Sequence, residues 1–100
     1  MKLGILVNSD KHLPEIIGIT KAAQGKGHEV IIFAMDDGSR LLGNESFTAL
    51  HQLDKVRMSF CEHSCKGLSL ATDHLPPAIA AGSQYNNANM NHQADKVLVL

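Results

Sequence analysis

Two short apolar runs separated by one amphipathic stretch constrain this chain more than any other feature. Lys2–Val7 is nearly continuous in Leu, Ile and Val until Asn8, Ser9 and Asp10 interrupt it, and residues 28–34 (HEVIIFA) form a second run of the same kind. Runs this short without polar alternation read as strands buried on both faces, the condition of a parallel sheet. Between them Leu13, Ile16, Ile17, Thr20 and Ala23 recur at helical spacing. Pro14 suits the first turn of that helix, Asp10 is its expected N-cap, and Gly25 and Gly27 stop it. Strand, helix and strand within about 33 residues make a βαβ unit with a right-handed crossover.

The alternation continues. Residues 36–39 (DDGS) read as a turn, and residues 40–53 as one short helical turn followed by a helix from about Glu45, carried by Leu41, Leu42, Phe47, Leu50 and Leu53. Residues 55–60 (KVRMSF) alternate as a third strand that runs directly into Cys61. Residues 62–71 are expected as a weak helix with Gly67 inside it, 73–77 as a loop, and 78–81 as a minimal fourth strand. Residues 83–94 are rich in Asn, a poor helix former, but Tyr85, Ala88 and Gln93 can line one helical face. Residues 96–100 (KVLVL) are a closing strand. The order predicts one domain over residues 1–100: an α/β, flavodoxin-like three-layer sandwich with a mostly parallel sheet of four or five strands and helices on both faces. A chain of 100 residues hides roughly two thirds of its unfolded surface, enough for one core without metal or disulfide staples.

Nine basic and ten acidic residues leave a net charge of −1, which supplies no electrostatic footprint for nucleic acid or an anionic membrane. The first apolar run is too short for a signal-peptide core and for a membrane span. The expected setting is therefore the cytoplasm, and the Asn44-Glu45-Ser46 glycosylation sequon carries no weight. In a reducing compartment Cys61 and Cys65 are thiols to be explained chemically rather than a disulfide framework.

Open parallel sheets place ligands outside the carboxyl ends of their strands. Asn8-Ser9-Asp10, Met35-Asp36-Asp37 and Cys61-Glu62-His63 all fall there. Cys61 also precedes a helix whose first amides favour a thiolate; His63 and Lys66 would lower its pKa further, and Glu62 would oppose them. The competing reading is an inert small hydrophobe at a strand end. Cys65, one helical turn on, is either a resolving thiol or a packing residue, since Cα atoms about 6 Å apart are borderline for a disulfide. Cys61, His63 and Cys65 offer soft donors, but on a helix His63 points away from the cysteines, and two thiols cannot close a four-coordinate zinc site. His12, His28, His51, His74 and His92 share no ligand spacing, so no metal is expected. Asp36 and Asp37, followed by Gly38, read as turn and capping residues. Neither a G-x-G-x-x-G fingerprint nor a phosphate-loop motif is present, so no flavin or nucleotide cofactor is expected.

Three blocks together give the chain a family likeness. The opening strand and helix are the first. The second is Val56-Arg57-Met58-Ser59-Phe60-Cys61 followed by Ser64, Cys65, Lys66, Gly67 and Leu68; the third is Gly82-Ser83-Gln84 followed by Ala94-Asp95-Lys96-Val97-Leu98-Val99-Leu100. In this layout the chain resembles the DsrE/DsrF-like family, small α/β proteins of sulfur relay and sulfur oxidation. The resemblance implies a sulfurtransferase-like carrier in which Cys61 accepts sulfane sulfur as a persulfide and hands it to a partner protein. It also implies sulfur-donor and sulfur-acceptor partners and a homo- or hetero-oligomer. Cys65 is an addition that could resolve a persulfide on Cys61 into a disulfide. Two other readings stand beside the carrier: a non-catalytic oligomeric binding module with structural thiols, and a thiol–disulfide redox protein using both cysteines.

Overall fold

A computed structural model describes residues 1–100 as five strands and four helices, with 3₁₀ turns between them. The strands are β1 (Lys2–Val7), β2 (Glu29–Ala34), β3 (Val56–Cys61), β4 (Ile79–Gly82) and β5 (Lys96–Val99). The helices are α1 (Leu13–Gly25), α2 (Glu45–Thr48), α3 (Glu62–Gly67) and α4 (Gln84–Gln93). All neighbouring strands are parallel, in the order β4-β3-β2-β1-β5. The fold is the expected flavodoxin-like α/β sandwich, and its sheet is parallel throughout.

The topology explains which helix covers which face. From β1 to β4 the chain steps in one direction across the sheet, so crossovers of one hand put α1, α2 and α3 on the same side. The step from β4 to β5 runs back past β1, and the same hand sends α4 to the opposite side. The packing follows this division. Ile5, Val7, Ile16, Val30, Ile32, Phe47, Leu50 and Cys65 belong to the large cluster under α1–α3, whereas Phe33, Cys61 and Met90 form a small separate one under α4. Central strands with side chains buried on both faces need the unbroken apolar runs seen in β1 and β2.

Local details differ from the sequence-based expectation where tertiary contacts decide. His12, not Asp10, is the N-cap of α1, and it makes no side-chain capping bond. Pro14 does sit in the first turn, and Gly27, at φ 82°, makes the reversal into β2 that only glycine adopts freely. The turn at 36–39 extends as a 3₁₀ helix, Asp36–Gly43, because Leu41 and Leu42 are buried against the main core. The helix from Glu45 lasts only four residues before it tightens into a second 3₁₀ turn, Ala49–Gln52. α3 stops at Gly67 instead of running through it. The Asn-rich segment is a helix because Ser83 caps it: Ser83 Oγ accepts from the Tyr85 N–H at 3.2 Å, and Asn86 Oδ1 reaches back to the Ser83 N–H at 3.0 Å. A Cβ on Gly82 would fall on that Asn86 side chain, so the residue before the cap must be small.

Candidate functional site

β3 lies between β2 and β4, and its last residue, Cys61, is also the N-cap of α3. The β2 end (Met35, Asp36) therefore flanks Cys61 on one side, and the β4 end (Gly82, Ser83, Gln84) flanks it on the other. Strand alternation points Cys61 to the α4 side with Phe33 and Met90, and the residue is 4 % exposed.

Burial by itself pushes the Cys61 thiol up, because it penalises the charged form. Hydrogen bonding reverses the sign. The Ser64 hydroxyl, the Ser64 amide, the Gln84 side chain and the His63 amide all favour the thiolate, and together they hold Cys61 below the ordinary thiol value. The Cys61 side chain makes no capping hydrogen bond to α3. α3 has only six residues and a correspondingly small dipole; the individual donors carry the effect.

Two of these donors are themselves held. Ser64 Oγ accepts a hydrogen bond from the Asp36 N–H at 3.0 Å. Gln84, in the first turn of α4, places its Nε2 3.6 Å from Met35 Sδ. An exposed glutamine thus reaches the β2 end, and its side chain favours the Cys61 anion.

Cys65 has the opposite surroundings. It is 2 % exposed within the large cluster on the α1–α3 side, and burial raises its pKa. The Ser39 hydroxyl partly offsets that rise, while the charges of Cys61 and Glu62 add to it. Both cysteines are free, and they belong to clusters on opposite faces of the sheet.

His63 and Lys66, the charged helpers expected from sequence, are both exposed on α3. Neither side chain is among the groups that set the Cys61 equilibrium; His63 acts through its backbone amide. The His63 side chain lines a cleft of about 340 Å³ with Asp36, Asp37, Ser64, Gly67 and Leu68. Lys66 forms no ion pair; the two present are Lys2–Glu29 and Arg40–Asp37. No three His, Cys, Asp or Glu side chains gather as metal ligands. No helix is long and apolar enough to cross a membrane.

Sequence reasoning did not single out Ser64 and Gln84. Ser64 carried a readable signal, since a hydroxyl three residues after an N-cap cysteine faces the cap. Gln84 carried none: only the pairing of β4 with β3 brings it over Cys61.

Fold and site together define a class: a small parallel α/β domain with a buried cysteine at the carboxyl end of an inner strand, among neighbours that favour its anion. Among solved structures, the chain is similar to MTH1491 from Methanobacterium thermoautotrophicum, described as a protein of unknown function. That similarity has a TM-score of 0.77 at 11 % identity, over 99 % of this chain and 98 % of the other. It is also similar to the ychN protein from E. coli, with a TM-score of 0.69 at 15 % identity over 99 % and 97 % of the two chains. At these identities the likeness is one of fold. No family model and no curated protein matches the sequence.

Proposed function

We propose that this protein is a sulfur carrier in which Cys61 accepts sulfane sulfur and passes it to a partner protein. The observation that carries this reading is the convergence of donors on Cys61: Ser64, Gln84 and the His63 amide outweigh burial and favour its anion. In the reaction, Cys61 Sγ⁻ attacks the outer sulfur of a persulfide R–S–SH. A new S–S bond forms, the old one breaks, R–S⁻ leaves, and Cys61 becomes Cys61–S–SH. The reverse step, with the thiolate of the acceptor as nucleophile, returns Cys61 as thiolate. The family resemblance of residues 56–68 and 82–100 supports the same reading. With it come a cytoplasmic setting, donor and acceptor proteins as partners, and an oligomeric assembly.

The 4 % exposure of Cys61 favours a second reading, a binding module with structural thiols. Nothing in the placement of Cys61 and Cys65 favours disulfide exchange between them, since they face different cores. Intact mass after incubation with polysulfide separates the first two readings. Carrier function gives a gain of roughly 32 Da, one sulfur, that survives in Cys65→Ser and disappears in Cys61→Ser. No adduct on any variant, with Cys61 inert to alkylation in the native state, leaves the binding module.

A further inference from the structure

An inner strand of a parallel sheet is ordinarily apolar on both faces. β3 obeys this toward α1–α3, where Val56, Met58 and Phe60 are buried. It departs from it toward α4, where Arg57, Ser59 and Cys61 alternate along one face and only Cys61 is buried. The reason is that α4 packs over β1 and β2, which leaves the β3–β4 half of this face uncovered. A groove of about 300 Å³ results. Arg57 and Ser59 form its floor, with the small Ala80 paired beside Ser59 on β4. Asn89 and Gln93, one turn apart on α4, form its wall. Arg57 is the one charged residue among the ten that line the groove, and both ion pairs of the protein lie elsewhere. Met90 belongs both to this lining and to the cluster that holds Cys61, so the groove runs along β3 toward the cysteine.

Two polar walls facing each other across a gap suit a small polar ligand better than the apolar face of a partner helix. The lone guanidinium takes a carboxylate through paired N–H donors, and the Asn89 and Gln93 amides both donate and accept, as peptide groups require. The volume is that of a small-molecule site at the low end of the usual range. Arg57 and Cys61 lie four residues apart on one strand, about 13 Å between Cα atoms. Three extended peptide residues span about 10 Å, and the reach of the Arg57 side chain covers the remainder. We infer that the groove between β3 and α4 binds a small carboxylate-bearing peptide thiol, its carboxylate on Arg57 and its sulfur toward Cys61. The inference rests on the carrier reading for its chemistry, and it names the sulfur donor as the persulfide of such a peptide, R–S–SH. Cys61 Sγ⁻ attacks the outer sulfur, and the donor S–S bond breaks as the new one forms. The peptide leaves as the thiolate R–S⁻, and the proton stays on the transferred sulfur.

The test titrates the reduced protein with glutathione and with glutathione diethyl ester, which keeps the peptide and removes the carboxylates, followed by amide NMR. Glutathione is expected to move the resonances of residues 57–59, 80 and 89–93. The ester binds about tenfold more weakly, the scale of one lost hydrogen bond to a charged group, and added salt narrows the difference. Arg57→Gln abolishes that difference, and Arg57→Lys keeps only part of it, because a point charge lacks the guanidinium fork. Ala80→Phe, which leaves Arg57 in place and fills the floor, weakens both ligands. Absent binding, resonance shifts elsewhere in the protein, equal affinity for the two ligands, or a difference that survives in Arg57→Gln overturns the inference. Loading with the two persulfides keeps this claim apart from the carrier reading. Binding by the expected pattern, with no sulfur gained from either persulfide, defeats the carrier reading alone. Sulfur gained equally from both persulfides, in wild type and in Arg57→Gln, defeats the groove alone.

Discussion

Burial pushes any thiol upward, and both cysteines of this chain are buried, so the direction of each shift is decided by the donors that each one finds. Cys61 meets a hydroxyl, two backbone amides and a glutamine amide, and falls below the ordinary value of 9.0. Cys65 meets the Ser39 hydroxyl alone, with two negative charges nearby, and rises above it. Linkage turns this contrast into a pH dependence. Between the lowered native value of Cys61 and 9.0 the unfolded chain still holds a proton that the native chain has released, so stability rises with pH. Above 9.0 the unfolded chain releases the Cys65 proton first, so stability falls. Urea unfolding across this range is expected to show a rise that is absent in Cys61→Ser and an alkaline fall that is absent in Cys65→Ser. A wild-type curve that both variants reproduce would remove the distinction between the two thiols. Cys61 was legible as the candidate because a cysteine at a strand end is visible in sequence. Its donors were less so, since Ser64 and Gln84 are uncharged and the eye goes to His63 and Lys66.

At the scale of elements, α4 is the weak member of the sandwich and the one that covers Cys61. Its sequence is mostly asparagine and glutamine, and Met90 is its one buried residue. Local propensity opposes it, and the capping box of Ser83 and Asn86 offsets part of that opposition. Removing the cap in Ser83→Ala is expected to cost about 1 kcal/mol of stability. It should also free the first turn that carries Gln84. Alkylation of native Cys61 is then faster than in wild type, while Cys65, under α1–α3, stays protected; equal rates at Cys61 would mean that α4 does not gate it. The strands were readable because parallel pairing demands unbroken apolar runs, which β1 and β2 supply directly. The 3₁₀ segments were not, because eight residues with Leu41 and Leu42 buried have too few turns to display a helical period.

On the scale of the whole molecule, the sheet divides the protein into two unequal halves. One face is closed by three helices and a continuous core; the other has α4, a cluster of three buried residues, and an open groove of about 300 Å³ lined by Arg57, Ser59, Ala80 and the polar flank of α4. The crossover rule creates this asymmetry, since three of the four connections step one way and one steps back. Cys61 lies on the thin side, so the opening of α4 is the low-energy route to it, with the main core left intact. Met90→Ala tests this directly. Met90 packs against β1 at Gly4, where an added Cβ would come within 3.1 Å of its Cγ. Truncating it removes the anchor of α4 at about 2–5 kcal/mol, the usual range for cutting a buried methionine to alanine. Hydrogen exchange is expected to quicken over residues 84–93 and around Cys61, while β1, β2 and α1 keep their wild-type protection. Uniform loss of protection across all five strands would instead make the two halves one cooperative unit, and access to Cys61 would then require global unfolding. The carrier role proposed above would be served by the first behaviour, because Cys61 stays covered at rest and becomes reachable by displacing one short polar helix.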